Sequence, residues 1–302
     1  MKTNPGTAEA RLSTDGKSLR RRLIEGTQMT DRRLDVAGVS TALLEGGSGS
    51  PVVLLHGQGG FAAMWAPIIG GLVPTHHMIA PDLPGLGASV APNGPPGVDT
   101  VMVWLDDLIR QTCATPPVLV GTSLGGTIAA RFASIHGDRL AQLVLVDAGG
   151  LAGPVRPALP VLLALIRHSI WPTQRSAFRL LQGVSLDADR VRQRMGERWE
   201  PFRDYLLDRS RTPSVRKANR SLLRELGFPR IPPEDLARIR VPTTLIWGRH
   251  DRVMPLATAQ TASALYGWPL VVIEDAAHYI SGEQPEALTR ALSAILEKGG
   301  VG

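Results

Sequence analysis

Cysteine is nearly absent from this chain: among 302 residues there is one, Cys113. A single thiol excludes an internal disulfide and any metal site built from several cysteines, and it fits a protein of the reducing cytoplasm. Long apolar runs are missing too. No stretch reaches the ~20 residues that a membrane span requires, and the opening MKTNPGTAEARLSTDGKSLRRRLIEGTQMT has no continuous apolar core of the signal-peptide kind. Residues 1–30 therefore read as a mobile basic tail, with Met29 as an alternative start. There is no internal repeat and no low-complexity segment.

What is present is an ordinary globular composition, with 43% hydrophobic and 20% charged residues. The length suits one sizeable α/β core carrying an insertion better than two equal domains. The formal net charge is +6, and it is unevenly placed. Residues 151–232 hold 16 Lys and Arg against 7 Asp and Glu, so the rest of the chain is slightly acidic. The arginines there are scattered among leucines and acids as on solvated helix faces, and no nucleic-acid-binding motif accompanies them. The partner expected is a small molecule, with an anionic one suited to the basic segment.

Apolar, β-rich runs recur at Val52–Leu55, Met78–Ala80, Val118–Val120, Leu143–Val146, Thr243–Trp247 and Leu270–Ile273. Helical patterns lie between most of them, at Trp65–Leu72, Thr100–Thr112, Ser123–His136, Leu256–Tyr266 and Pro285–Leu296. This alternation predicts an α/β fold: a mostly parallel twisted sheet covered by helices on both faces. Arg33–Leu44, centred on Gly38, reads as an antiparallel hairpin that starts the sheet. From about Gly150 to Pro233 the strands stop and only helical stretches remain. Residues 31–150 and 236–302 are thus expected to form the core, and 151–235 an inserted helical cap at the sheet edge where ligands bind.

One segment concentrates the chemistry. In VLVGTSLGGTIAARF, residues 118–132, an apolar strand gives way within about two residues to a helical pattern, with Ser123 at the bend. So sharp a turn strains its central residue and leaves no room for side chains two positions away on either side, which calls for glycine at 121 and 125. Gly-x-Ser-x-Gly between strand and helix is a nucleophile elbow, which raises a serine hydroxyl above the sheet edge. A serine at its own pKa is a poor nucleophile and needs a base held by an acid. Of seven histidines, His278 lies just past the last strand and before the helix opened by Pro285, on the same edge as Ser123. His56, directly after a strand, suits loop shaping instead. Asp251, after the penultimate strand, is the expected acid, and Asp147, which also ends a strand at this edge, is its rival. Asp82 in PDLPGLGAS reads as a turn residue without a chemical role. The backbone N–H groups of Gln58, in the glycine-rich HGQGGF, and of Leu124 are the expected oxyanion donors. HGQGGF lacks the Lys and Ser or Thr of a phosphate loop, so a nucleotide site is not expected.

HGQGGF, PDLPGLGAS, GTSLGG, WGRHDRVMP and DAAHYISGEQPEAL, in this order, resemble the α/β-hydrolase fold superfamily from about Arg33 to Leu296. The resemblance implies a Ser123–Asp251–His278 triad, no cofactor and no metal, and a helical cap that sets specificity. Members with an aspartate at the elbow, the epoxide hydrolases and haloalkane dehalogenases, are disfavoured by Ser123. Carbon–carbon bond hydrolases of ring-cleavage products often carry tryptophan after the catalytic histidine, where this chain has Tyr279. The resulting expectation is a serine hydrolase of small carboxylic esters. The alternatives are a carbon–carbon hydrolase or lactonase with an anionic substrate, and a slow-turnover ligand receptor that retains the triad.

Overall fold

The computed structural model describes residues 14–153 and 157–299. Eight strands form one sheet: β1 (Thr30–Val36), β2 (Val39–Gly46), β3 (Ser50–Leu55), β4 (His76–Pro81), β5 (Val118–Thr122), β6 (Gln142–Val146), β7 (Thr243–Gly248) and β8 (Leu270–Ile273). Their order is β1-β2-β4-β3-β5-β6-β7-β8. β2 runs antiparallel to both β1 and β4, and every later pairing is parallel. The hairpin forms because Ala37 and Gly38 both take positive φ, 48° and 80°, the geometry of a tight turn matched to strand twist. Central strands read as unbroken apolar runs because helices cover both of their faces. Val52 through Leu55 are all buried, and each such side chain stabilises the fold by about 1.5–3 kcal/mol.

The helices of the core are α2 (Ala66–Ile69), α3 (Val98–Thr112), α4 (Leu124–His136), α11 (Leu256–Tyr266), α12 (Ile280–Glu283) and α13 (Pro285–Gly299). α3 illustrates their logic: Val101, Trp104, Leu105 and Leu108 recur at helical spacing and are fully buried. The run expected as one helix from Trp65 to Leu72 starts and ends three residues earlier and splits into a 3-10 turn, Ala62–Trp65, followed by α2. Between β6 and β7 the chain forms α5 (Leu159–Ile170), α6 (Gln174–Val184), α7 (Ala188–Met195), α8 (Trp199–Arg211), α9 (Pro213–Leu222) and the short α10 (Pro233–Leu236). The insertion closes at its base where the Ile231 N–H donates to the Gly150 carbonyl at 3.0 Å.

The reading of residues 1–30 as a mobile tail is corrected by the structure. Residues 1–13 lie outside the described region, but Thr14–Ile24 form helix α1, which packs on α8 of the insertion. Leu23 and Met29 are buried, and Arg20 is 1% exposed. The basic run misleads because one of its charges is neutralised far along the chain. Arg20 Nε donates to Asp31 Oδ2 at 2.9 Å and an Arg20 terminal nitrogen to Asp82 Oδ2 at 2.7 Å. Burial opposes the Arg20 charge, and Asp82 and Asp31 more than offset it, so its pKa is raised. Asp82 is therefore more than a turn residue. It also accepts from the N–H groups of Ala62 and Ala88, at 2.6 and 2.7 Å, and so joins α1 to two loops of the core.

Candidate active site

Ser123 stands between β5 and α4 with φ 53° and ψ −119°, in the left-handed half of backbone space. The strain is held by close packing on both sides. A Cβ at position 121 would collide with the backbone of Gly125 and Gly126, and one at 125 with the carbonyls of Leu55 and His56. Both glycines are thus required by contact. The Ser123 N–H donates to the Val146 carbonyl at 3.0 Å, which locks the bend to the neighbouring strand.

The structure brings the three residues expected as a triad together. His278 Nε2 lies 3.0 Å from Ser123 Oγ, and His278 Nδ1 lies 2.8 Å from Asp251 Oδ2. Asp251 is buried, and its other oxygen accepts from the N–H groups of Val253 and Met254 at 2.7 and 2.9 Å, which fixes the carboxylate toward the imidazole. This geometry lets His278 take a proton from Ser123 while Asp251 steadies the resulting cation.

Asp147 is fully buried, with φ 45°, and its Oδ1 accepts from the Gly248 N–H at 2.9 Å. It sits close enough that one atom each from Asp147, Asp251 and His278 lie within 4.8 Å of one another. Burial pushes the Asp147 carboxyl well above its ordinary pKa, and the charge of Asp251 adds to the shift. Asp147 therefore favours the protonated, neutral form. His56, the loop-shaping candidate, is buried with Nδ1 2.8 Å from the Gly57 carbonyl and Nε2 accepting from the Leu83 N–H at 3.0 Å. Gln58 and Leu124 both border the cavity beside Ser123. Leu124 opens α4, so its N–H has no intrahelical acceptor.

Above Ser123 lies a cavity of about 420 Å³. Its walls are mainly aliphatic, with Leu162, Leu165, Leu181 and Leu206 from the insertion and Val253 and Met254 from the core. Arg216 and Arg220 also border it, and neither side chain forms an ion pair or side-chain hydrogen bond among the described residues.

Two residues that sequence reasoning missed tie the insertion to this site. Asn219 Oδ1 on α9 accepts from the Gly59 N–H at 3.0 Å, and so holds the glycine-rich loop from 160 positions away. Glu283 accepts from the Leu186 N–H on the insertion and, at 2.9 Å, from the Ala277 N–H beside His278. The Tyr279 N–H donates to the Val184 carbonyl at 3.0 Å, which adds a second stitch. Local sequence carries no signal for any of these pairings.

A profile of the family described as "Alpha/beta hydrolase family" matches residues 52–291. The chain is 27% identical, over 89% of its length and 91% of the relative's, to 2-hydroxy-6-oxo-6-(2'-aminophenyl)hexa-2,4-dienoic acid hydrolase of Metapseudomonas resinovorans. It is also 27% identical, over 82% of its length and 79% of the relative's, to the (lyso)-N-acylphosphatidylethanolamine lipase of Bos taurus. Among solved structures it superposes on a membrane phospholipase A, a bacterial virulence factor, with a TM-score of 0.80, 26% identity and coverage of 95% and 92% of the two chains.

Proposed function

This chain belongs to the alpha/beta hydrolase family, and from that premise we propose that it hydrolyses carboxylic esters of a largely apolar acyl group through an acyl-enzyme on Ser123. The observation that carries the proposal is the Ser123–His278–Asp251 hydrogen-bonded series opening into an aliphatic cavity of about 420 Å³, a size within the ordinary range of ~300–1,000 Å³ for ligand pockets. His278 Nε2 accepts the Ser123 proton as Oγ attacks the ester carbonyl. The oxyanion is held by the N–H groups of Gln58 and Leu124. The tetrahedral adduct collapses, the alcohol leaves with the proton from His278, and a water deprotonated by His278 then releases the acid. The scheme uses no cofactor. The insertion of residues 151–235 serves as the cap that shapes the acyl site.

A second reading, hydrolysis of a carbon–carbon bond or a lactone in an anionic substrate, is supported by two observations. Three relatives at 26–28% identity are hydrolases of hydroxy-oxo-dienoates or of 2-hydroxymuconate semialdehyde. Arg216 and Arg220 beside the cavity, which have no ion-pair partner among the described residues, also suit a substrate carboxylate. One panel separates the readings: p-nitrophenyl esters of increasing acyl length, the same esters carrying a terminal carboxylate, and a 2-hydroxy-6-oxo-hexadienoate. The ester reading expects kcat/KM to peak at neutral acyl chains of about six to ten carbons. A larger kcat/KM for the dienoate than for every ester would replace it with the second reading. Turnover that stops at one equivalent of product would point instead to a receptor.

A further inference from the structure

Large apolar side chains that face solvent are concentrated on one segment of the insertion. Leu159, Leu163, Ile166 and Ile170 are 66%, 56%, 46% and 49% exposed, and Trp171, directly after them, is 65% exposed. The four aliphatic positions follow i, i+4, i+7 and i+11, which confines them to an arc of about 60° on α5. The helix cannot turn this stripe inward. On its opposite face Val161 and His168 are buried, and the His168 ring is fixed on both nitrogens, with Nδ1 2.9 Å from Ser176 Oγ of α6 and Nε2 3.1 Å from Ser210 Oγ of α8. No described residue covers the stripe.

Charge decides what would cover it. Between residues 151 and 186 there is no Asp or Glu, while Arg167, Arg175 and Arg179 are exposed. Arg167 borders the stripe itself. A second copy docked face to face would set these arginines against their own counterparts, an arrangement that like-charge repulsion disfavours. An anionic lipid surface meets both demands, since it takes up apolar side chains at the acyl boundary and offers phosphates to the arginines around them. A tryptophan at the end of such a stripe has the amphipathic ring that favours the membrane–water boundary.

We propose that α5 and Trp171 seat this protein on an anionic lipid surface, with Leu159, Leu163, Ile166 and Ile170 turned to the acyl layer and Arg167 among the headgroups. Ile166 and Ile170 also line the cavity above Ser123, so the docking face and the cavity are continuous. Delivery of an acyl chain along this route rests on the proposed ester hydrolysis, whereas the docking itself does not.

The test is flotation of the full chain with vesicles of phosphatidylcholine alone and of equimolar phosphatidylcholine and phosphatidylglycerol. Trp171 is the one exposed tryptophan among the described residues, so its emission reports contact. The expected result is binding to the phosphatidylglycerol vesicles with a blue shift, weakened by about 0.5 M salt. The triple variant Leu159→Ser, Leu163→Ser, Trp171→Ser touches no cavity residue. It should lose at least ~10-fold in vesicle affinity while hydrolysing a soluble short-chain ester at the parent rate. Failure of the parent chain to bind, equal binding by the triple variant, or equal binding to phosphatidylcholine alone would overturn the proposal. So would a dimer in sedimentation that the triple variant dissolves, because the face would then belong to a second copy. An absence of ester hydrolysis in the parent would refute the functional reading and leave the vesicle result to stand by itself.

Discussion

Asp147 directly follows β6 and Asp251 lies just past the end of the adjacent β7, with a carboxylate oxygen of each within 4.8 Å of the other, and what separates them is the partner each carboxyl has. Asp251 faces His278 Nδ1 at 2.8 Å and holds its second oxygen on two backbone N–H groups. Asp147 accepts from Gly248, and burial beside Asp251 favours its neutral form. A neutral carboxyl resembles an amide in shape and charge, so Asp147→Asn should cost less than about tenfold in kcat. Asp251→Asn should cost ~10⁴, because the amide selects the wrong imidazole tautomer. Both are measured with one ester on purified variants whose circular dichroism matches the parent, and the opposite ranking would move the acid to β6. Ser123 and His278 were legible in the sequence for a local reason: a strained bend demands glycines at fixed offsets, and His278 is the one histidine in the sequence after the last strand. The choice between the two acids rested on chain order and family likeness, since both follow apolar strands and only the three-dimensional pairing with His278 separates them. Asn219 and Glu283 were illegible, because they act on backbone groups of segments remote in sequence.

At the scale of elements, the strands and most core helices followed from apolar periodicity, because helices on both faces make buried parallel strands continuous in hydrophobicity. Helix α1 did not. Its sequence, TDGKSLRRRLI, reads as solvated because Arg20 lies among exposed charges, and its acidic partners Asp31 and Asp82 are 11 and 62 positions away. The same pairing makes α1 part of the folded body. Replacing Arg20 by methionine keeps bulk and apolar stem but leaves Asp82 with a buried, uncompensated charge, a type of change that costs about 3–5 kcal/mol. Urea denaturation should show a loss of that order for Arg20→Met. In the double variant Arg20→Met, Asp82→Asn the loss should be smaller than the sum of the two single losses, since the second change removes the stranded charge. Strict additivity would mean that the ion pair does not couple α1 to the core.

Across the whole molecule, buried titratable groups of both the insertion and the core differ in protonation between folded and unfolded chains. His168 pins α5 to α6 and α8, and burial pulls its pKa down to about 4, with the charge of Arg211 acting in the same direction. An unfolded histidine titrates near ~6.5, so between those values the unfolded chain binds more protons and stability falls as pH falls from 6.5 toward 4. His56, fully buried in the core, shifts the same way for the same reason. Asp147 and Glu283 oppose them. Burial raises both carboxyls, so the folded chain keeps their protons above the ordinary carboxylate range, and their contribution is largest at low pH and lost as pH rises through their folded pKa values. The two sets can be told apart by variants that do not titrate. His168→Gln should be less stable than the parent at pH 7, having lost ring contacts to Ser176 and Ser210, and its deficit should shrink by roughly 2 kcal/mol by pH 4.5, because the unfolded parent takes up a proton on this histidine that the folded parent does not bind. Asp147→Asn should do the reverse in sign, gaining on the parent as pH rises toward 8. Because the insertion holds Gly59 through Asn219 and the His278 loop through Val184 and Leu186, ester turnover in the parent should fall along the same acid limb as its stability. His168→Gln should retain a larger share of its neutral-pH rate at pH 5 than the parent does. Parallel stability curves for parent and His168→Gln between pH 4.5 and 7 would show that the histidine stays uncharged in both states or charged in both, and would sever the link between α5 and the acid limb.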